Sequence, residues 1–179
     1  MTKAKISDLM IFTDEIKLGG KTRRLAFDNR ALGYAEQYCR HQGFPLDCER
    51  IIKECSELEL RSVLACLYGT IKSADRQYTI SRFVREINPE KAAEYFEKIA
   101  IGLARYLPDR SAKGRFNAEA VTDSNDVIGD YFELARKVLK MSDEDILNSS
   151  MRLIENKLSL SLGIDEDSKA GYIDSIPGF

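Results

Sequence analysis

Residues 9–43 read LMIFTDEIKLGGKTRRLAFDNRALGYAEQYCRHQG, and this stretch decides the fold class because two periodicities meet in it. Leu9 to Leu18 and Lys21 to Phe27 flank Gly19-Gly20. A glycine pair supplies the positive φ that a two-residue hairpin turn requires. On the first arm Met10, Phe12, Ile16 and Leu18 alternate with Thr13, Glu15 and Lys17, and on the second Leu25 and Phe27 share a face. The pattern predicts a β-hairpin with one apolar face. A lone hairpin is marginal in water, so that face needs helices to lie on. From Asp28, an N-cap residue, the period changes: Leu32, Ala35 and Cys39 fall at helical spacing as far as Gly43, a helix-stop residue.

Downstream, helical cues dominate. Phe44-Pro45-Leu46 makes a break, and Ser56-Glu57-Leu58-Glu59 has the form of a capping box. It is expected to open the most apolar helix, with Leu60, Leu64, Leu67, Tyr68 and Ile71 on one stripe, Val63 beside it, and the centre of the core along it. Thr79 is expected to cap a short helix bearing Phe83, Val84 and Ile87. Asn88-Pro89-Glu90 starts another, through Ala92, Tyr95, Phe96, Ile99, Leu103 and Tyr106, which Leu107-Pro108 closes.

Residues 108–126 change character. They hold two apolar side chains larger than alanine, Phe116 and Val121, among Ser, Asp, Asn, Lys and Arg, and are read as a linker. A helical pattern resumes over 127–140 with Tyr131, Leu134, Val138 and Leu139. Ser142 caps the acids Asp143, Glu144 and Asp145, and Met151, Ile154 and Leu158 mark a last amphipathic stretch ending near Gly163. Residues 164–179 read as an acidic tail. The expected architecture is α+β and predominantly helical: a hairpin packed on four or five helices in 1–107, a linker 108–126, a helical appendage 127–163 and the tail. The appendage is too small for its own core. It must lie either on a partner or on the first region.

Composition narrows the function classes. The chain has 179 residues, 27 Lys+Arg against 29 Asp+Glu, and is 44% hydrophobic. Its longest uncharged run, Ser62 to Ile71, falls well short of the roughly 18 residues of a membrane span. At the N-terminus only Leu9 to Phe12 are consecutively apolar, too few for a secretory signal, so a cytoplasmic protein is expected. A net charge of −2 disfavours a general nucleic-acid binder. The charge is uneven: residues 1–106 carry 18 Lys+Arg and 15 Asp+Glu, residues 107–179 carry 9 and 14. Cys39, Cys48, Cys55 and Cys66 form no C-x2-C pair and fall inside helical patterns, which predicts reduced, buried thiols rather than a zinc site or disulfides.

No catalytic constellation emerges, and no cofactor site is expected. His41 is the only histidine and sits at a predicted helix end, where a cation is favourable without any catalytic role. Gly19-Gly20-Lys21-Thr22 lacks the upstream glycine of a phosphate-binding loop. The acids at 143–145 and 165–167 fit capping and solvation. One arrangement competes: Leu64 to Ser73, a turn over 74–78, and Thr79 to Ile87 match a helix-turn-helix with Arg82 and Arg85 towards DNA, though any core-packed helix shows the same apolar spacing. A small DNA-binding regulator is therefore the alternative reading.

Three stretches resemble one protein family. KLGGKTRRLAFDNRALGYAEQY (17–38) resembles the opening hairpin and helix of the tail assembly chaperones of long-tailed bacteriophages and prophages, and SELELRSVLACLYGTIKSADRQYTISRFVREI (56–87) resembles their next segment. DYFELARKVLKMSDEDILNSSMRLI (130–154) resembles the downstream extension of the family's longer form. The family commonly has Phe-Trp after the acidic turn, where this chain has Ile146-Leu147. The resemblance implies a non-enzymatic chaperone of the host bacterial cytoplasm, absent from the mature virion. Its first region would coat the helical tape measure protein and its extension would recruit major tail tube subunits, with self-association left open and no membrane or nucleic-acid partner. In the extension, Tyr131, Phe132, Leu134, Val138, Leu139 and Met141 are the candidate partner-binding residues, because apolar side chains surround much of that helix.

Overall fold

In the computed structural model the described residues are 11–108 and 127–161; the expected linker beyond Pro108 and the expected tail fall outside them. The fold is α+β and mostly helical. β1 (Thr13–Leu18) and β2 (Lys21–Ala26) pair antiparallel with Leu18 opposite Lys21 and Thr13 opposite Ala26. Gly19 and Gly20 have φ of +54° and +74°, the conformation that the tight turn demands. Ile16, Leu18, Leu25 and Phe27 are buried on the expected apolar face. Asp14 and Arg23 share that inner face, opposite Leu25 and Ile16. Each is matched there: Asp14 accepts from Lys98 Nζ at 2.8 Å, and Arg23 pairs with Glu86.

Five helices follow in the first region. α1 (Asn29–His41) starts at Asp28, whose side chain accepts from the Ala31 N–H at 2.8 Å. It stops in a Schellman turn, with the Phe44 N–H on the Cys39 carbonyl and Gly43 at φ +83°. α2 (Cys48–Ser56) has Asp47 as its N-cap and buries Ile51, Glu54 and Cys55. No expectation covered it, because nine residues with one two-position apolar run carry little periodicity.

The existence of α2 corrects the capping box. Ser56 is the last residue of α2 and its hydroxyl donates to the Lys53 carbonyl, while α3 (Leu60–Ala74) begins after Glu59, which makes no side-chain cap. The stripe also shifts. Val63, Leu67, Tyr68 and Ile71 are buried as expected, but Leu60 is exposed and Leu64 half-buried, and Ala65, Cys66 and Gly69 complete the buried face. α3 nonetheless occupies the centre, in contact with β2, α1, α2 and α5. Gly69 sets the approach to α1: a β-carbon there would overlap the Ala31 carbonyl oxygen.

Thr79 caps α4 (Ile80–Glu86), in which Phe83 is buried and Val84, expected inside, is exposed. Phe83 completes an aromatic cluster with Tyr38, Tyr68 and Tyr78, ring centroids 5.3–6.5 Å apart. Asn88 caps a short 3₁₀ turn at Pro89–Lys91 that leads into α5 (Ala92–Tyr106), where Tyr95, Ile99, Leu103 and Tyr106 point inward. The Phe27 ring lies against Gly102, leaving no room for a β-carbon.

The remaining helices are α6 (Val127–Lys137), α7 (Asp143–Leu147) and α8 (Met151–Ser161). Ser142 and Asp145 form a true capping box at α7. Tyr131, Leu134, Ile146, Met151, Ile154 and Leu158 belong to the same hydrophobic cluster as the first region. The appendage thus lies on the chain's own core. Among the described residues no helix is long and apolar enough to cross a membrane.

Candidate partner-binding surface

The six residues singled out on the extension separate by depth. Tyr131 and Leu134 are 6% and 3% exposed, inside the core, and burial followed by the nearby Glu155 carboxylate pushes the Tyr131 hydroxyl well above its ordinary range. Phe132, Val138, Leu139 and Met141 are half-buried against the same cluster. α6 is therefore inner on its Tyr131–Leu134 side; it offers the rim of Phe132, and the turn that follows it offers those of Val138, Leu139 and Met141. Its contacts with α2, α7 and α8 account for the apolar circumference that the sequence left without a partner.

Buried polar bonds fix this docking. Asn29, the first residue of α1, takes the Ile146 carbonyl with Nδ2 at 2.7 Å and gives its backbone N–H to the Ser149 carbonyl at 2.8 Å. Its Oδ1 accepts from the Tyr106 hydroxyl. Arg30 reaches Glu144 and Asn148, and Arg152 donates to the Leu107 and Ala104 carbonyls, satisfying the last turn of α5. Asp28 beside them accepts from Ser73 as well as Ala31; burial raises its pKa against those bonds.

Two carboxylates of the first region each gather two arginines. Glu86 receives Arg23 Nε at 3.1 Å, Arg82 Nε at 2.9 Å and the Tyr78 hydroxyl at 2.8 Å, and both guanidinium groups stack over the Tyr78 ring. Burial would raise the Glu86 pKa, but these donors outweigh it and hold it at about 2. Glu54, 1% exposed, lies beneath the half-exposed arms of Arg50 and Arg61. Arg61 first, then Arg50 and Ser62, keep it at about 2. Arg82 Nε bonds Glu86 and Arg85 Nε bonds the Ser81 carbonyl, both within α4.

The histidine and the cysteines are placed as follows. His41 is exposed as the last residue of α1. The four cysteines are free; Cys39, Cys55 and Cys66 are buried, and burial lifts the Cys39 thiol to about 11. Among the described residues no group of three His, Cys, Asp or Glu could hold a metal ion. A cavity bounded by Phe27, Asp28, Leu32, Thr70, Leu103 and Tyr106 holds about 10 Å³, room for one water and no substrate.

Comparison with protein-family models, with curated proteins and with solved structures finds no match. The site therefore rests on its own geometry. The hubs at Asn29, Glu54 and Glu86 escaped the sequence reading, since each draws partners from other elements; only the i,i+4 pairs Arg50–Glu54 and Arg82–Glu86 had a local signal.

Proposed function

We propose that the chain is a non-enzymatic tail assembly chaperone, which binds the tape measure protein and recruits tail tube subunits in the bacterial cytoplasm before virion completion. One observation carries the reading: the stretches that resemble the family, 17–38, 56–87 and 130–154, supply most of a single interlocked scaffold. Asn29 from the first bonds Ile146 and Ser149 from the third, and Gly69 from the second seats against Ala31 from the first. Segments kept together for one role are expected to meet in this way.

Co-expression with the tape measure protein of the same genome tests the proposal. The chaperone reading expects a stable complex and a gain in that protein's solubility. Neither complex nor solubility gain would sink it.

A further inference from the structure

The turn from α2 into α3 exposes five consecutive residues, Ser56 to Leu60, in which two glutamates alternate with two leucines. The backbone closes there as it does after α1. The Glu59 N–H bonds the Glu54 carbonyl and the Leu58 N–H bonds the Cys55 carbonyl, the same pair of bonds that Phe44 and Gly43 make at the end of α1. In α1 the left-handed position is Gly43; in α2 it is Leu58, at φ +62°. Glycine takes that conformation without a steric penalty and leucine does not.

Leu58 gains little packing in return, since 64% of it is exposed. Leu60 follows, 42% exposed, and Leu64 one turn on is half-buried against the core. The apolar stripe of α3 thus leaves the core and emerges at this corner. Its surroundings are acidic: residues 47–61 carry Asp47, Glu49, Glu54, Glu57 and Glu59 against Arg50, Lys53 and Arg61. Arg50 and Arg61 are held on Glu54, and Lys53 reaches Glu57 only at 3.9 Å.

We infer that Leu58 and Leu60, bracketed by Glu57 and Glu59, dock an amphipathic helix whose apolar stripe is flanked by Lys or Arg. Leucines at a convex corner insert between the i and i+3 or i+4 side chains of such a helix, and the glutamates select its basic flanks. Resting on the function proposed above, that helix belongs to the tape measure protein.

Labelled synthetic peptides tiling the tape measure protein, titrated by fluorescence anisotropy with the full chain, test the inference. Wild type is expected to bind basic amphipathic peptides. Leu58→Gly is expected to keep or raise the thermal midpoint while weakening that binding about tenfold, the scale of one apolar side chain lost from an interface. Leu60→Ser should weaken it likewise, and Ile101→Ser, at an exposed position on α5, should leave it unchanged. Full binding by Leu58→Gly, equal loss with Ile101→Ser, or a fall in the Leu58→Gly midpoint would overturn the docking corner alone. Wild type that binds no peptide overturns both the corner and the chaperone reading.

Discussion

The Tyr106 hydroxyl donates to Asn29 Oδ1 at 2.6 Å, joining the last residue of α5 to the first residue of α1 across 77 positions of chain, with both groups buried. The same amide gives its Nδ2 to the Ile146 carbonyl, so its oxygen and nitrogen are both committed and its orientation is determined. A buried polar cluster of this kind stabilises one arrangement and penalises others. It accounts for α6 to α8 lying on the first region although apolar packing alone would tolerate sliding.

Tyr106→Phe leaves Asn29 Oδ1 buried without its donor, and the expected loss is about 1–3 kcal/mol in urea unfolding. Asn29→Ala removes the tie to Ile146 as well. The two losses should be less than additive in the double variant, because both delete one shared bond. Strict additivity would show that the pair does not act as a unit.

Glycines separate by what surrounds them. Alanine at Gly69 meets the Ala31 carbonyl, and at Gly102 the Phe27 ring, so each substitution should cost about 1–3 kcal/mol through forced separation of packed elements. Gly33, inside α1 with open space around it, should gain up to about 1 kcal/mol as alanine. Thermal melts of the three variants would order them, and a stable Gly69→Ala would contradict the close α1–α3 approach.

Acid should unfold the protein partly through Glu86. Burial opposes its ionisation, but Arg23, Arg82 and Tyr78 hold its folded pKa at about 2, below the ordinary 4.5. A depressed carboxylate contributes stability that is present above about pH 4.5 and is lost as pH falls towards about 2. Asp28 works in the opposite sense, since burial raises its pKa and protonation favours its folded state. Glu86→Gln should lower stability at neutral pH and flatten the acid limb. An unchanged limb in denaturant titrations at several pH values would refute the role of this cluster.

Much of the fold was legible where a local rule acted alone. Gly19-Gly20, Asp28, Thr79, Asn88-Pro89 and Ser142 each announced a turn or cap that the structure contains. Legibility failed at Ser56, where a capping-box pattern coincided with the end of an unrecognised helix: Ser56 bonds back into α2 and the chain reverses through Leu58. Leu60 and Val84 carried the right spacing for the core and stand outside it, because periodicity specifies a face and not how far a neighbour covers it. The extension's Tyr131 and Leu134 were legible as apolar and illegible as buried. Their cover comes from α2, far earlier in the chain, and from α7 and α8, whose position is fixed by bonds such as Asn29 to Ile146 that no local pattern encodes.

Arg152 gives a further check on the extension. Arg152→Ala frees the Leu107 and Ala104 carbonyls, and amide hydrogen exchange should quicken in α8 and at the end of α5 while α1 and α3 stay protected. Uniform quickening throughout would mean that α8 has no local opening of its own.

The Leu58–Leu60 corner is proposed to serve a long helical partner. Purifying the full chain co-expressed with the tape measure protein of its genome, then measuring the mass of the eluted species by light scattering, tests it most directly. The expected result is a single species that contains both proteins and dissociates when Leu58 and Leu60 are replaced together. Elution of the chain at its own mass, with the tape measure protein insoluble, would contradict it.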